Sequence, residues 1–464
     1  MKKILSFILA VVLTVSLLTN FIHTHSVPVN AATTSDWPTA PKVNAKSAIL
    51  MEASTGTILY DKKCHKKMYP ASITKIMTAL LTIENCKIDE EVVFSENAVN
   101  SLQYDDANFG CQVGEKMSVK DCLYTLMLAS ANEVATALAE HIAGSVDKFA
   151  EMMNTRAKEA GATNTHFVNA NGLHNTNHYV TAYDMAMITK AASQYSLFND
   201  IVNTTTYTVP KNNKRKDSAP ANQRHKMVWP TSPYYYADAI GGKTGYTDQS
   251  GTTLVTYAKR NGMTLIVVVL HSNGSGAYTD TKALFDYGFD NFNLVNVSQN
   301  DSRFSEGDSP SVQSPFSNST DLIYIDKESN VVIPKSTDFS KLTSQVEFNE
   351  SDDSFATITY KLGDRALGTA NLKYESNTSS KNTEESLPNT TTSQEEQTTK
   401  ISNENSDKNS NEQKTSNKIK NFKLPKILIP ITVIIFVIVI TIVVMVMHQR
   451  RINRIRAMKR QRKR

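Results

Sequence analysis

The stretch at 69–83, which begins YPASITK, places apolar residues at the spacing of a helix that is buried on one side. Pro70 suits the first turn of such a helix, because its missing N–H would be unpaired there in any case. Ser72 and Lys75 are three residues apart, so their side chains share one face and can touch. A hydroxyl beside an amine at the start of a buried helix can be activated as a nucleophile without histidine. Because serine and lysine are common, the pair indicates chemistry only if partners occur elsewhere in the chain.

The two ends of the chain carry the signals of export and membrane anchoring. Residues 1–31 have the basic start, apolar run and small-residue cleavage site of a signal peptide. An uncleaved anchor is the alternative, although the apolar run is short for a bilayer span. Residues 427–447 are apolar over about 20 residues, which predicts one transmembrane helix. The basic tail at 448–464 should remain in the cytoplasm, so the body of the chain is predicted to lie outside the cell membrane.

Charge and cysteine content restrict the function classes further. The formal net charge is +5, but the basic residues of the two termini account for it, and the rest of the chain is net negative. The composition therefore does not indicate a nucleic-acid partner. The four cysteines could form two disulfides in any of three connectivities or remain buried thiols. None has C-x-x-C spacing, and we expect neither a metal nor a cofactor.

Composition and hydrophobic patterns predict several segments between the signal peptide and the membrane anchor. A polar lead at 32–45 precedes 46–291, where strand patterns at both ends flank helical patterns. This arrangement indicates one α+β domain whose sheet is assembled from the two ends of the segment. Residues 292–375 show only short strand patterns, so we expect a small all-β domain that acts as a spacer or interaction module. Residues 376–420 are polar and predicted to be a disordered linker.

Three short motifs gain their meaning from their order along the chain. The first lies on the helix described above, the second at the end of an apolar helix over 119–129, and the third on a strand of the C-terminal half. Each motif alone is short enough to occur by chance in many chains. The motifs are S-x-x-K at Ser72 and Lys75, S-x-N at Ser130 and Asn132, and K-T-G at Lys243, Thr244 and Gly245, with Tyr246 following.

Together these motifs resemble the S-x-x-K, S-x-N and K-T-G set of penicillin-binding proteins and serine β-lactamases. The flanking residues, PASITKIMTA at 70–79, NGLH at 171–174 and GKTGYT at 242–247, are similar to those of low-molecular-mass D-alanyl-D-alanine carboxypeptidases. The resemblance covers about 46–291 and implies a β-lactamase/transpeptidase-like domain, an antiparallel sheet with helices. The small β domain resembles the family more loosely, and the C-terminal anchor also fits it.

The resemblance assigns catalytic roles to the first two motifs. Ser72 would be the nucleophile, Lys75 its base, and Ser130 the relay that protonates the departing amine. The pKa of Lys75 must then fall from about 10.4 so that part of the amine is neutral. Burial and the nearby charge of Lys243 both act in this direction.

The substrate-binding roles come from the same resemblance. Asn132 would hold the substrate amide, and Lys243 and Thr244 would receive a terminal carboxylate. Gly245 allows the substrate backbone to lie close to the strand. Backbone N–H groups of Ser72 and Tyr246 would form the oxyanion hole.

The implied activity is a serine-type D-Ala-D-Ala carboxypeptidase that trims peptidoglycan stem pentapeptides and so limits cross-linking. β-Lactams would acylate Ser72 as mimics of the substrate. One alternative is a class A-like β-lactamase, which needs a glutamate for deacylation, and Glu159 is the only candidate in the right region. A non-catalytic penicillin-binding or wall-sensing protein is a second alternative, and endopeptidase action on cross-links is a third.

Other polar residues have simpler interpretations. His174 and His178 are four residues apart, but their turn-rich surroundings favour a loop or substrate groove over a zinc site. Asp105 and Asp106 are expected to be an exposed loop pair. Family members often place an arginine after the last strand to hold the substrate carboxylate, and residues 271–281 contain none. The grip on that carboxylate must then come from Lys243, Thr244 or a residue that the sequence does not place.

Overall fold

The computed structural model describes residues 37–102, 105–304, 311–313, 320–349, 354 and 356–376. These residues lie within one compact unit. Its helices are α1 (Lys75–Asn85), α2 (Glu96–Asn100), α3 (Val119–Tyr124), α4 (Asn132–Ala143), α5 (Val146–Glu159), α6 (Ala182–Ala192), α7 (Ser196–Asn203), α8 (Gly274–Asn291) and α9 (Val297–Asn300). Its strands are β1 (Ser47–Glu52), β2 (Ile58–Lys62), β3 (Glu91–Val93), β4 (Lys116–Ser118), β5 (Thr206–Val209), β6 (Ala219–Asn222), β7 (Ala239–Thr247), β8 (Gly251–Arg260), β9 (Met263–Ser272), β10 (Phe292–Asn296), β11 (Ser311–Gln313), β12 (Thr320–Ile325), β13 (Asn330–Pro334), β14 (Thr343–Phe348), β15 (Ala356–Leu362) and β16 (Arg365–Ser376).

A five-stranded antiparallel sheet joins the two ends of the first domain in the order β2-β1-β9-β8-β7. The central strand β9 is apolar and rich in β-branched residues, as is typical of a strand in the middle of a sheet. Leu50 of β1 pairs with Val267 of β9, and Val255 of β8 pairs with Val268. The prediction of an α+β domain with an antiparallel sheet is therefore confirmed.

The sheet separates two hydrophobic cores, because successive residues of a strand point to opposite faces. On one face Ile266, Val268 and Leu270 pack against the helical region that contains α1, α4, α5, α6 and α7. On the other face Leu265 and Val267 pack against α8. The helix that carries the serine–lysine pair is thus fixed on the larger core, with most of its length buried.

The segment after α8 forms mostly strands, as the sequence predicts for that region. Strand β10 pairs with β13, and a second sheet runs in the order β11-β12-β16-β15-β14. A separate core, which includes Ile325, Val331 and Ile358, lies between these strands. The carboxylate of Asp301 anchors this unit by accepting hydrogen bonds from Arg303 and from the Tyr360 hydroxyl.

The four cysteines are free thiols, which decides between the two alternatives that the sequence leaves open. Cys64, Cys111 and Cys122 are buried, and Cys86 is half-buried. Burial raises the pKa of all four thiols, with values of about 12 for Cys64 and about 11 for Cys86. At neutral pH these cysteines are protonated, so they pack as small apolar groups.

Several sequence-based predictions concern segments that the structure does not describe. The signal peptide at 1–31, the linker at 376–420 beyond Ser376, the transmembrane helix at 427–447 and the tail at 448–464 lie outside the described residues. Within the part of the chain that is described, every helix is too short or too polar to cross a bilayer.

Gly242 lies where β7 and β8 are closely packed. Its φ is +151°, and a Cβ atom there would lie 1.9 Å from the Val255 carbonyl oxygen. Gly262, in the turn between β8 and β9, also has a positive φ of +83°, but nothing lies within 4 Å of the added atom. We expect Gly262→Ala to cost only backbone strain, about 1–2 kcal/mol. Gly242→Ala should cost more than about 3 kcal/mol, because the strand pair must separate.

Chemical denaturation of the two variants measures both costs, and Gly262→Ala serves as the matched control. Equal losses of unfolding free energy would contradict the close packing of β7 against β8.

Candidate active site

Ser72 lies in a 3₁₀ turn, Ala71–Thr74, that runs directly into α1. The sequence predicts a regular helix from Pro70, so the tighter first turn is a departure from that prediction. Ala71 has a φ of +52°, an uncommon conformation for alanine. The turn is held from both sides: the Thr253 hydroxyl donates to the Pro70 carbonyl at 2.7 Å, and Gly172 packs so closely that a Cβ atom would lie 2.0 Å from the Ala71 oxygen.

Lys75 is fully buried and its amine is surrounded by oxygen atoms. Its Nζ lies 3.0 Å from the Ser72 Oγ, 2.6 Å from the Asn132 Oδ1 and 2.7 Å from the Asn171 carbonyl oxygen. One amine therefore links the first motif, the second motif and the loop that follows α5. The sequence predicts contact between Ser72 and Lys75, and the geometry is consistent with it.

Ser130 and Asn132 reach the site through a break in a helix. After α3 the chain makes a π-helical turn, Thr125–Ala129, and Ser130 then adopts the left-handed conformation with φ +66°. The backbone N–H of Asn132 donates to the Ala107 carbonyl at 2.8 Å, and α4 begins at Asn132. After this break, Ser130 and Asn132 line the same cavity as Ser72.

The third motif lies on β7, which is one of the two edge strands of the sheet. A Cβ atom at Gly245 would lie 2.8 Å from the Ser72 backbone nitrogen, so the strand lies directly against the serine turn. Lys243 is 1% exposed, and its Nζ donates to the Thr244 carbonyl at 2.9 Å. Tyr246 is 66% exposed, and its hydroxyl donates to Asp248.

An open cavity of about 840 Å³ joins these groups. Six of the eight residues that the sequence predicts for the site line this cavity, whereas Lys75 and Lys243 are buried beside them. The loop pair Asp105 and Asp106 lines it as well, and so does His174. The six are Ser72, Ser130, Asn132, Thr244, Gly245 and Tyr246.

The electrostatics of the site favour neutral amines. Burial, followed by the charge of Lys243, holds the pKa of Lys75 well below its ordinary value of 10.5. Burial and the guanidinium of Arg224 lower the pKa of Lys243 to about 7. Both lysine amines are buried, whereas Arg224 is exposed where it lines the cavity.

Sequence reasoning missed two charged residues of this region. Arg224 lines the cavity from the segment between β6 and β7, where no motif marks it. Glu133 follows the second motif directly and is fully buried. Its Oε1 accepts hydrogen bonds from the backbone N–H groups of Phe109 and Gly110 at 2.6 and 3.0 Å. Its charge raises the pKa of Lys75, partly opposing the effect of burial.

Glu159 and His178 are not among the residues that line the cavity, which restricts their roles. Glu159 lines a different surface pocket together with Arg156, away from the serine. His178 is buried, and its Nε2 lies 3.0 Å from the Thr74 hydroxyl. Burial lowers the pKa of His178 to about 3, so the ring is neutral and supports the serine turn. Among the described residues, no group of three metal-ligating side chains converges on the cavity.

Comparisons with known proteins agree with this arrangement. A family model described as D-alanyl-D-alanine carboxypeptidase matches residues 34–274. D-alanyl-D-alanine carboxypeptidase DacF of Bacillus subtilis is 35% identical over 229 residues, 48% of this chain and 57% of that protein. D-alanyl-D-alanine carboxypeptidase DacA of Haemophilus influenzae is 30% identical over 290 residues, 60% of this chain and 70% of that protein. The solved structure of penicillin binding protein 5 from Haemophilus influenzae matches with a TM-score of 0.60 and 26% identity. The match covers 73% of this chain and 98% of the chain in that structure.

The chain therefore spans between about half and about two thirds of the length of these curated relatives. The family match extends over more than half of the chain and includes all three motifs. It follows that the chain belongs to the S11 peptidase family of D-alanyl-D-alanine carboxypeptidases.

Proposed function

We propose that this chain is a serine-type D-alanyl-D-alanine carboxypeptidase that removes the terminal D-alanine from peptidoglycan stem pentapeptides. The observation that carries the proposal is the set of three oxygen atoms around the Lys75 amine. A neutral amine has two N–H bonds and one lone pair. The N–H groups can donate to Asn132 and Asn171, which leaves the lone pair for the hydroxyl proton of Ser72. This is the geometry that a general base requires.

Acylation follows from that arrangement. The Ser72 Oγ attacks the carbonyl carbon between the last two D-alanines while Lys75 takes the hydroxyl proton. The backbone N–H groups of Ser72 and Tyr246 stabilise the negative oxygen, a contribution of about 10²–10³ in rate for one donor. When the C–N bond breaks, Ser130 passes a proton to the departing nitrogen and regains one from Lys75. The products are free D-alanine and an ester on Ser72.

Substrate selection depends on the edge position of β7. An edge strand leaves backbone groups available to an extended peptide, which can bind alongside it. The cationic groups of Lys243 and Arg224, with the hydroxyl of Thr244, suit a terminal carboxylate. Arg224 supplies the positive charge that the sequence does not provide at 271–281. A carboxylate bound there restores the protonated form of Lys243, because an opposite charge raises its pKa.

Hydrolysis of the ester completes the cycle, with water supplying the hydroxyl group and the proton. β-Lactams would acylate Ser72 in the same way. Among the described residues that line the cavity, none is a glutamate. Rapid deacylation of the class A β-lactamase type therefore lacks its base, which favours the carboxypeptidase over that alternative.

The site of action is part of the proposal. Residues 1–31 would direct export, and residues 427–447 would anchor the chain with its catalytic domain outside the cell. The support is the sequence pattern alone: an apolar segment long enough for a bilayer followed by a basic tail. The substrate of the proposed reaction is located on that side of the membrane.

Ser72→Ala tests the nucleophile. We expect release of D-alanine from a diacylated D-Ala-D-Ala peptide to fall by roughly 10⁴–10⁶, since the acyl-enzyme cannot form. Mass spectrometry after incubation with labelled penicillin should place the adduct on the peptide that contains Ser72. Ser196→Ala, an exposed serine at the start of α7, is the matched control and should retain both properties.

Two outcomes would contradict this assignment. An adduct on another residue would exclude Ser72, and acylation without D-alanine release would identify a non-catalytic penicillin-binding protein. An adduct that is lost within seconds would favour a β-lactamase.

The pH dependence of kcat/KM tests the role of Lys75. Activity should rise with pH as Lys75 loses its proton, and this limb should lie well below the ordinary lysine range. Since the charge of Glu133 raises the pKa of Lys75, Glu133→Gln should move the acid limb to lower pH. Glu151→Gln changes an exposed glutamate and is the control. An acid limb that stays in place in Glu133→Gln would remove Lys75 as the titrating base.

Cell fractionation and protease treatment of intact protoplasts test the proposed location. The full-length chain should sediment with membranes, and external protease should remove the catalytic domain. Truncation before residue 421 should release the domain into the medium. A truncated chain that remains in the membrane would overturn the role of residues 427–447.

A further inference from the structure

A second group of reactive side chains lies away from the cavity. The Cys86 thiol, the Glu90 carboxylate and the His141 ring each offer one ligand atom, and these atoms lie within 4.8 Å of one another. The His141 Nε2 is 3.2 Å from the Glu90 Oε2. None of the three residues lines the active-site cavity. The proposed carboxypeptidase reaction leaves this cluster unused.

Three separate segments place the ligand atoms. Cys86 caps the C-terminus of α1, where its backbone N–H donates to Thr82 at 3.0 Å. Glu90 closes the turn that leads to β3, and its Oε1 accepts from the Lys87 N–H at 2.8 Å. That bond leaves the Oε2 directed toward His141, which lies in the last turn of α4. The backbone therefore brings the three groups together without the help of a bound ion.

The donor set is that of a zinc site. Thiolate, imidazole and carboxylate are the ligands that Zn²⁺ takes in proteins, with bonds of about 2.0–2.3 Å. Ligand atoms of a tetrahedral site are then roughly 3.3–3.6 Å apart, so closure from the observed spacing requires side-chain shifts of about 1 Å. His141 is exposed and the other two residues are half-buried, so their side chains have room for such shifts. Two of the ligands also lie at helix C-termini, whose partial negative charge attracts cations.

We propose that Cys86, Glu90 and His141 bind one Zn²⁺ ion, with water in the fourth position. The thiol proton leaves for solvent as the Zn–S bond forms, because a coordinating cysteine is deprotonated by the ion. The direct contact between Glu90 and His141 is replaced by one bond from each side chain to the zinc ion. No change of oxidation state and no further reactant are involved.

The location suggests what the ion does. Lys75 is the first residue of α1 and Asn132 the first residue of α4, and their side chains are hydrogen-bonded at 2.6 Å. Cys86 and His141 lie at the opposite ends of the same two helices. A zinc ion bound there would link the far ends of the pair whose near ends meet beside Ser72. The ion is therefore a structural clamp on the helices that hold the base.

Zinc titration of the full-length chain, purified without a histidine tag and stripped with a chelator, tests the proposal. We expect one Zn²⁺ per chain by calorimetry and an increase in Tm with added zinc. Co²⁺ should give a thiolate-to-metal charge-transfer band, which identifies the sulfur ligand. Cys86→Ser should lose the band, and His141→Asn should bind zinc at least 10-fold more weakly.

His65→Asn, an exposed histidine elsewhere on the domain, is the matched control and should bind zinc like the parent chain. Circular dichroism and penicillin acylation show whether each variant is folded, so a loss of binding is not mistaken for unfolding. A parent chain that takes up no zinc, or a Cys86→Ser variant that binds it as tightly as the parent, would overturn the proposal.

Discussion

The hydrogen bonds of one buried amine hold the active site together. Lys75 joins the serine turn, the start of α4 and the loop at Asn171, each at 3.0 Å or less. Such a position is costly for a charged ammonium group, because burial removes the solvation that bulk water gives to the charge. Burial therefore lowers the pKa of Lys75, which suits the role of base that we propose for it. Burial, rather than any special feature of Ser72, is therefore what the chemistry depends on.

The rest of the fold can be understood as the means of burying that amine while leaving the serine accessible. The central sheet fixes β7 at its edge, and close approach at Gly245 sets the strand against the Ser72 turn. Two helices on the larger core begin at Lys75 and Asn132, so the side chains of these residues meet at the N-terminal ends of the helices. Lys243 brings a second amine near the first and depresses its pKa further. Packing and catalysis thus share the same contacts in this region.

The sequence predicted the regular parts of this arrangement well, because their patterns are local. Apolar periodicity identified α1, and the strand patterns at both ends of 46–291 identified the sheet that joins those ends. The left-handed conformation of Ser130 was not predicted. At the break before α4, the Asn132 N–H donates to the carbonyl of Ala107, which lies in a loop distant in sequence. Arg224 escaped notice for a related reason: it lies in a connection without periodicity, and only the tertiary fold directs that connection to the cavity.

The charges that surround Lys75 could not be predicted from the sequence either. Glu133 directly follows the second motif, but its sequence position does not reveal that it is buried or that it holds the backbone at Phe109 and Gly110. Short elements such as α7 and the pair β5 and β6 were missed because too few residues carry each pattern. The resemblance to a known family supplied residue roles, whereas the structure supplies the distances and burial on which those roles depend.

The most direct test of this account is the protonation state of Lys75 in the free enzyme. Lysine labelled with ¹³C at Cε and ¹⁵N at Nζ reports that state by NMR, and the signal that disappears in Lys75→Met assigns the residue. The account predicts that the Lys75 amine loses its proton at a pH well below its ordinary pKa of 10.5. A Lys75 signal that remains charged at neutral pH and titrates near 10.5 would contradict it.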